Sequence, residues 1–147
     1  MGNHRHVVLQ TSVENIDWKE LSELFQQVNW EGYNMENVEK AFRNSYIVCF
    51  AFIDNKLVGC GRSISDGVRY AAIYDVVVAP HMQGKGIGHK LVDSLLNHLK
   101  DIPFVHLTTT IGKETFYEQF GLRKHKTAMA RYLDEQKANI YLEPRTM

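Results

Sequence analysis

Cysteine is nearly missing from this chain, and the little present excludes two chemistries. Cys49 and Cys60 are the only two, both lie inside apolar, strand-like segments, and neither stands at zinc-site spacing from another ligand. Free buried thiols are expected rather than a disulfide. Neither cysteine has a histidine beside it, so a covalent cysteine intermediate is set aside. Net charge is missing too, since 17 Lys and Arg balance 17 Asp and Glu. No global field gathers nucleic acid or a membrane surface, so neither partner is expected and any basic site must be local. No apolar run approaches the roughly 20 residues that span a bilayer, and the start MGNHRHVVLQ lacks a signal peptide's apolar core, which gives an expected cytoplasmic location. His4 and His6 form an HxH pair that reads as solvent-exposed, and no metal is expected. Repeats and low-complexity linkers are absent. At 147 residues, 44% hydrophobic and 23% charged, residues 1–147 suit one domain with one good core.

The stretch from 73 to 100 organises the rest. It begins with a β-branched run, Val76, Val77 and Val78, which suits a buried strand. Pro80 ends that strand. After Gln83-Gly84-Lys85-Gly86-Ile87-Gly88, the residues Ile87, Leu91, Leu95 and Leu99 fall four apart and draw an apolar stripe down a helix. A strand, a glycine-rich turn and a helix in that order make an anion site, because the unpaired N–H groups of the helix's first turn point into the space before it.

Spacing separates three known phosphate loops. A Walker loop needs GxxxxGK followed by Ser or Thr, which residues 84–91 do not supply. The dinucleotide pattern GxGxxG needs a third glycine where His89 stands, and it normally opens a longer domain. The third pattern is Gln or Arg, two residues, Gly, one residue, then Gly or Ala. Gln83, Gly86 and Gly88 meet it behind the strand end Val78-Ala79-Pro80. This resembles the acetyl-CoA loop of the GCN5-related N-acetyltransferases. Downstream, Thr115-Phe116-Tyr117-Glu118-Gln119-Phe120-Gly121-Leu122 is similar to the FYxxxGF signature of the same superfamily. With length and element order, the two motifs cover nearly the whole chain.

The resemblance implies an α+β fold: a mixed, mostly antiparallel sheet of six to seven strands, flanked by about four helices, with the parallel fourth and fifth strands splayed apart. The residues fit in order. Residues 6–11 read as a first strand, followed by a helix capped at Asn15 or Asp17, a loop holding Trp30 and Tyr33, and a second helix near 35–42. The family's helix pair walls the acceptor pocket, while core packing explains Trp30 and Tyr33 equally well. Residues 46–53 and 57–65 form a hairpin, 70–79 completes a meander, and 103–109 is a parallel fifth strand. Residues 112–120 are a short helix with Gly121 as its left-handed cap. Residues 122–126 and 128–133 read as a closing hairpin. The tail, 134–147, holds Asn139-Ile140-Tyr141-Leu142 as an edge strand or a contact to a second subunit in a homodimer.

What the resemblance implies for chemistry is an N-acetyltransferase using acetyl-CoA, with the acceptor amine attacking directly in a ternary complex. The acceptor is a small primary amine or a lysine side chain. Main-chain groups of Val76, Val77 and Val78 would pair with pantetheine. Gln83, Gly84, Lys85, Gly86, Ile87, Gly88 and His89 would hold the diphosphate. A free N–H near Val76 or Val77 would serve the oxyanion. Tyr117 matches the tyrosine that is often the general acid. Thr110 stands where the family often has an asparagine touching pantetheine or sulphur. The Glu or His that family members often carry on the fourth strand as general base is replaced by Ala72 and Tyr74, and alternation aims Asp75 at the opposite face in a structural role. The base is therefore left among Glu31, Asp66 and water. The competing reading is a CoA-binding regulatory module without transfer.

Overall fold

The computed structural model describes residues 6–146 in two compact units, one reaching Thr108 and the other starting at Thr109. Met1 to Arg5, with His4 of the HxH pair, and Met147 lie outside the described residues.

The first unit is built on a five-stranded sheet in sequence order: β1 (Val8–Gln10), β2 (Ile47–Ile53), β3 (Lys56–Ser65), β4 (Tyr70–Val78) and β5 (Phe104–Leu107). The first three pairings are antiparallel and β4–β5 is parallel. A parallel neighbour requires a crossover, and helix α3 (Ile87–His98) supplies it. The β2–β3 hairpin turns on Asp54 and Asn55, both at positive φ (51° and 64°), the geometry that matches strand twist.

Helices α1 (Trp18–Gln27) and α2 (Met35–Arg43) are capped by short polar side chains. Asp17 accepts from the N–H groups of Lys19 and Glu20, and Asn34 accepts from Asn37 N at 2.9 Å. Their apolar stripes bury Leu21, Leu24, Phe25, Val38 and Phe42; Phe42 meets Phe50 of β2 with ring centroids 5.5 Å apart. Helix α3 packs Ile87, Leu91 and Leu95 near Gly59 and Gly61 of β3. A Cβ at either glycine would stand 3.0 Å from a leucine Cδ1, so their lack of side chains sets how closely helix and sheet approach. Burying each such Leu or Phe contributes on the order of 1.5–3 kcal/mol. Phe50 opposes Cys60 while Cys49 opposes Gly61, so the two cysteines are out of step by one residue and alternate to opposite faces. Both are free and buried, as expected.

The second unit holds α4 (Glu114–Glu118) and α5 (Glu135–Tyr141). Two expectations fail here. The closing hairpin of residues 122–126 and 128–133 forms no strand; Met129 is 97% and Leu133 86% exposed, so the segment buries no apolar face that could hold a register. The expected edge strand at Asn139-Ile140-Tyr141-Leu142 is helix through Tyr141, because Asp134 caps it by accepting from Gln136 N and Lys137 N, and Glu135, Gln136, Lys137 and Ala138 favour that state. The described residues thus give five strands and five α-helices instead of six to seven and about four. None of these helices is long and apolar enough to cross a membrane.

Candidate active site

Strand β4 outruns its parallel neighbour. Pairing with β5 runs from Tyr70 opposite Phe104 to Ile73 opposite Leu107 and stops, while β4 continues to Val78. On its other edge Ala79 N donates to Val58 O at 2.8 Å, and Val77 opposes Cys60. Main-chain groups alternate in direction along a strand, so Val76 and Val78 turn theirs to the edge that β5 no longer covers. Gln83 Nε2 donates to Val78 O at 3.0 Å and ties the following loop to that edge. Val77 is spent on β3, which leaves the N–H groups of Val76 and Val78 facing the uncovered edge.

That loop opens α3. Gly84 (φ 77°) and Gly86 (φ 83°) sit in the left-handed region, where a side chain costs about 1–2 kcal/mol, and no atom lies within 4 Å of where a Cβ would be. Gly86 is the N-cap and offers no side chain, so no cap hydrogen bond covers the first turn. Ile87 is 1% exposed and anchors the turn in the core. Lys85 and His89 are exposed and Gly88 is half-buried. An open helix N-terminus with a local lysine fits an anion such as a diphosphate.

Between Cys60 and Arg62 the β3–β4 register slips. Cys60 opposes Val77 and Arg62 opposes Tyr74, so Asp75 and Val76 together face Gly61 in a β-bulge. Asp75 adopts φ 57°, a conformation that costs a non-glycine residue roughly 1–3 kcal/mol. The bulge breaks alternation and corrects the expectation that Asp75 faces away from Tyr74. Its Oδ2 accepts from Arg62 Nε at 2.7 Å and its Oδ1 from the Tyr33 hydroxyl at 2.9 Å. Cys60 Sγ donates to Asp75 O at 3.4 Å. Arg62 Nη1 donates to Ser45 Oγ at 3.3 Å, and its guanidinium lies 5.7 Å from the Phe42 ring centre and 5.6 Å from that of Tyr74. Tyr33, Phe42, Arg62 and Asp75, with Asn37, line a cavity of about 200 Å³ against α2. Tyr33 stacks on Phe25 at 4.3 Å, and burial, then the Asp75 charge, push its phenol far above the usual range. Core packing and pocket lining are thus both true of Tyr33. Trp30 only packs, its ring centre 5.8 Å from that of Phe25.

A sequence profile described as the acetyltransferase (GNAT) family matches residues 12–122. The chain belongs to that family. Among its relatives, an uncharacterized N-acetyltransferase of Prochlorococcus marinus is 32% identical over 126 residues, covering 82% of this chain and 70% of the relative. One from Pyropia yezoensis is 32% identical over 120 residues, 78% of this chain and 69% of the relative. A GNAT-family acetyltransferase structure from Streptococcus pneumoniae shares the fold, with a TM-score of 0.76 at 23% identity over 88% of this chain and 98% of that one.

In this acetyltransferase the cofactor-loop candidates Val76, Val78, Gln83, Gly84, Lys85, Gly86, Ile87, Gly88 and His89 come together in the first unit, along with Val77. Tyr117 and Thr110 belong to the second. There Tyr117 lies on α4 with its ring edge-on to Phe116 at 5.0 Å, and burial raises its phenol above the ordinary value. Thr110 is exposed in the turn before α4, its carbonyl accepting from Lys113 N at 3.1 Å. Gly121 takes the expected left-handed φ of 86° after that helix.

Of the base candidates, Asp66 is a turn residue. Its Oδ1 accepts from Val68 N and Arg69 N at 2.8 Å and from Tyr70 N at 3.2 Å, and these bonds, Arg69's first, hold its carboxyl below the usual range. A depressed pKa makes a weaker base. Glu31 is exposed on the loop after α1. The residue overlooked in the sequence is Arg62, and with it the pairing that brings Asp75 into the cavity. Their signal was present: one arginine in LVGCGRSIS and one aspartate in AIYDVVV, opposite charges on neighbouring strands that are otherwise apolar.

Proposed function

We infer that this acetyltransferase transfers an acetyl group from acetyl-CoA to a primary amine by direct attack in a ternary complex. The observation that carries the reading is the bare edge of β4 beyond Ile73 leading straight into the uncapped start of α3. Such an edge suits an extended ligand with amides along it, and such a helix start suits a diphosphate. Coenzyme A has both in one molecule.

In this reading the main-chain groups of Val76 and Val78 hold the pantetheine arm, and the N–H groups from Gly84 to His89 hold the diphosphate with Lys85 adding charge. When bound, acetyl-CoA supplies the activated acyl group and a thiol leaving group. Val76 N–H orients the thioester carbonyl and stabilises negative charge as it develops on that oxygen. Tyr117, kept protonated by burial, donates to the departing sulphur. Thr110 is a further contact to the arm. Solvent takes the proton of the acceptor amine, since Asp66 is committed to its turn.

The test is free-thiol release from acetyl-CoA across a panel of amines, amino sugars, amino acids and lysine peptides. Acceptor-dependent release that saturates in both substrates supports transfer. Tight CoA binding with no release for any acceptor would make the chain a CoA-binding module instead.

A further inference from the structure

We propose that the acceptor is a small zwitterion, an amine with a carboxylate close by, and that Asp75 receives its ammonium while Arg62 receives its carboxylate. That the bound molecule is then acetylated rests on the function proposed above; that it binds here does not.

The cavity holds one cation and one anion already paired to each other. Each Asp75 oxygen takes one protein donor, Tyr33 OH on Oδ1 and Arg62 Nε on Oδ2, and a carboxylate has about four lone-pair sites, so each oxygen keeps acceptor capacity. Arg62 has five N–H hydrogens and commits Nε to Asp75 and Nη1 to Ser45, leaving Nη2 with no hydrogen-bond acceptor among the described residues. Nη2 is also not sealed from solvent. Two complementary sets of unused sites therefore lie side by side.

Charge decides which amines suit them. The Arg62 and Asp75 side chains are only 15% and 10% exposed, so an uncompensated charge brought between them loses its water. A simple alkylamine or a polyamine arrives as a net cation beside an aspartate that Arg62 already neutralises. A zwitterion adds one charge of each sign, placing its ammonium on Asp75 and its carboxylate on the Nη2 side of the guanidinium, where it accepts a charge-assisted hydrogen bond. At about 200 Å³ the cavity falls below the roughly 300–1,000 Å³ of pockets for drug-sized ligands, which favours a single small metabolite. A lysine within a peptide has no carboxylate at the required distance.

The experiment is calorimetric titration of the full chain, saturated with CoA, against the common amino acids, each beside its decarboxylated amine and its carboxamide. At least one amino acid should bind tenfold or more tightly than both of its analogues, and Arg62→Gln should erase that preference. Arg62→Lys, which keeps the charge, should retain part of it. If no amino acid binds, if amines or amides bind as tightly, or if the preference survives Arg62→Gln, the proposal is wrong. Should Arg62→Gln not fold, the wild-type comparison decides by itself. Amino-acid binding without thiol release would overturn the transfer reading alone, and efficient transfer to amines in preference to amino acids would overturn this one alone.

Discussion

Arg62 Nε meets Asp75 Oδ2 at 2.7 Å across a bulge that sets two residues of β4 against Gly61. The pair is nearly dry, so removing one partner leaves a charge without its counterion. Arg62→Met alone should lower stability by about 3–5 kcal/mol, whereas Arg62→Met with Asp75→Asn should recover a good part of that. Urea unfolding of both variants checks this, and a double variant no better than the single would show that the ion pair is not the reason.

Gly86 stands at φ 83° with open space where a Cβ would lie. Gly86→Val meets no core atom, so the protein should stay folded, but the turn must distort to relieve the backbone. Affinity for CoA should fall at least tenfold by calorimetry, with a thermal midpoint lowered only by the several degrees that about 1–2 kcal/mol of backbone strain implies. Unchanged affinity would remove the loop from the binding site.

Much of this arrangement was legible in the letters. The run Val76, Val77, Val78, the break at Pro80 and the four-residue repeat from Ile87 specify strand, turn and helix locally, and the structure follows them. Asp75 was misread because period-two alternation assumes an unbroken ladder, and a bulge is a long-range property of two strands. Residues 122–133 were misread for a related reason: strand-like composition needs a neighbour and a buried face, and Met129 and Leu133 have no such face. At Asp134 a local cap outweighed the apolar Ile140-Tyr141-Leu142 pattern. The placement of Tyr33 on both core and cavity came from tertiary packing that spacing could not reveal.

Tyr117→Phe should lower kcat more than it raises KM for acetyl-CoA, because a proton donor matters in the transition state more than in the bound ground state. Burial raises the Tyr117 pKa, so its protonated form persists above the ordinary tyrosine range. The rate should therefore rise with pH as the acceptor amine deprotonates, with no loss from Tyr117 below about pH 10. A pH–rate profile measures this; a fall beginning near neutrality, absent in Tyr117→Phe, would contradict it.

Asp66 serves its turn and not the chemistry. Asp66→Ala should shift the urea midpoint downward while kcat/KM stays unchanged, and Asp66→Asn should shift it less. Because the folded pKa is depressed, the turn's contribution is complete above the ordinary carboxylate pKa and is lost as pH falls through the lower folded value. A large drop in kcat/KM for Asp66→Asn at normal stability would return it to the list of bases.

The gap that opens beyond Ile73 can be read directly by amide hydrogen exchange followed residue by residue, with and without CoA. The N–H groups of Val76, Val78, Gly86 and Gly88 should slow markedly when CoA is added, while Val77, already bonded to β3, changes little. Saturating CoA that leaves those four amides exchanging as before would contradict the claim that main-chain groups of β4 and the α3 turn hold the cofactor.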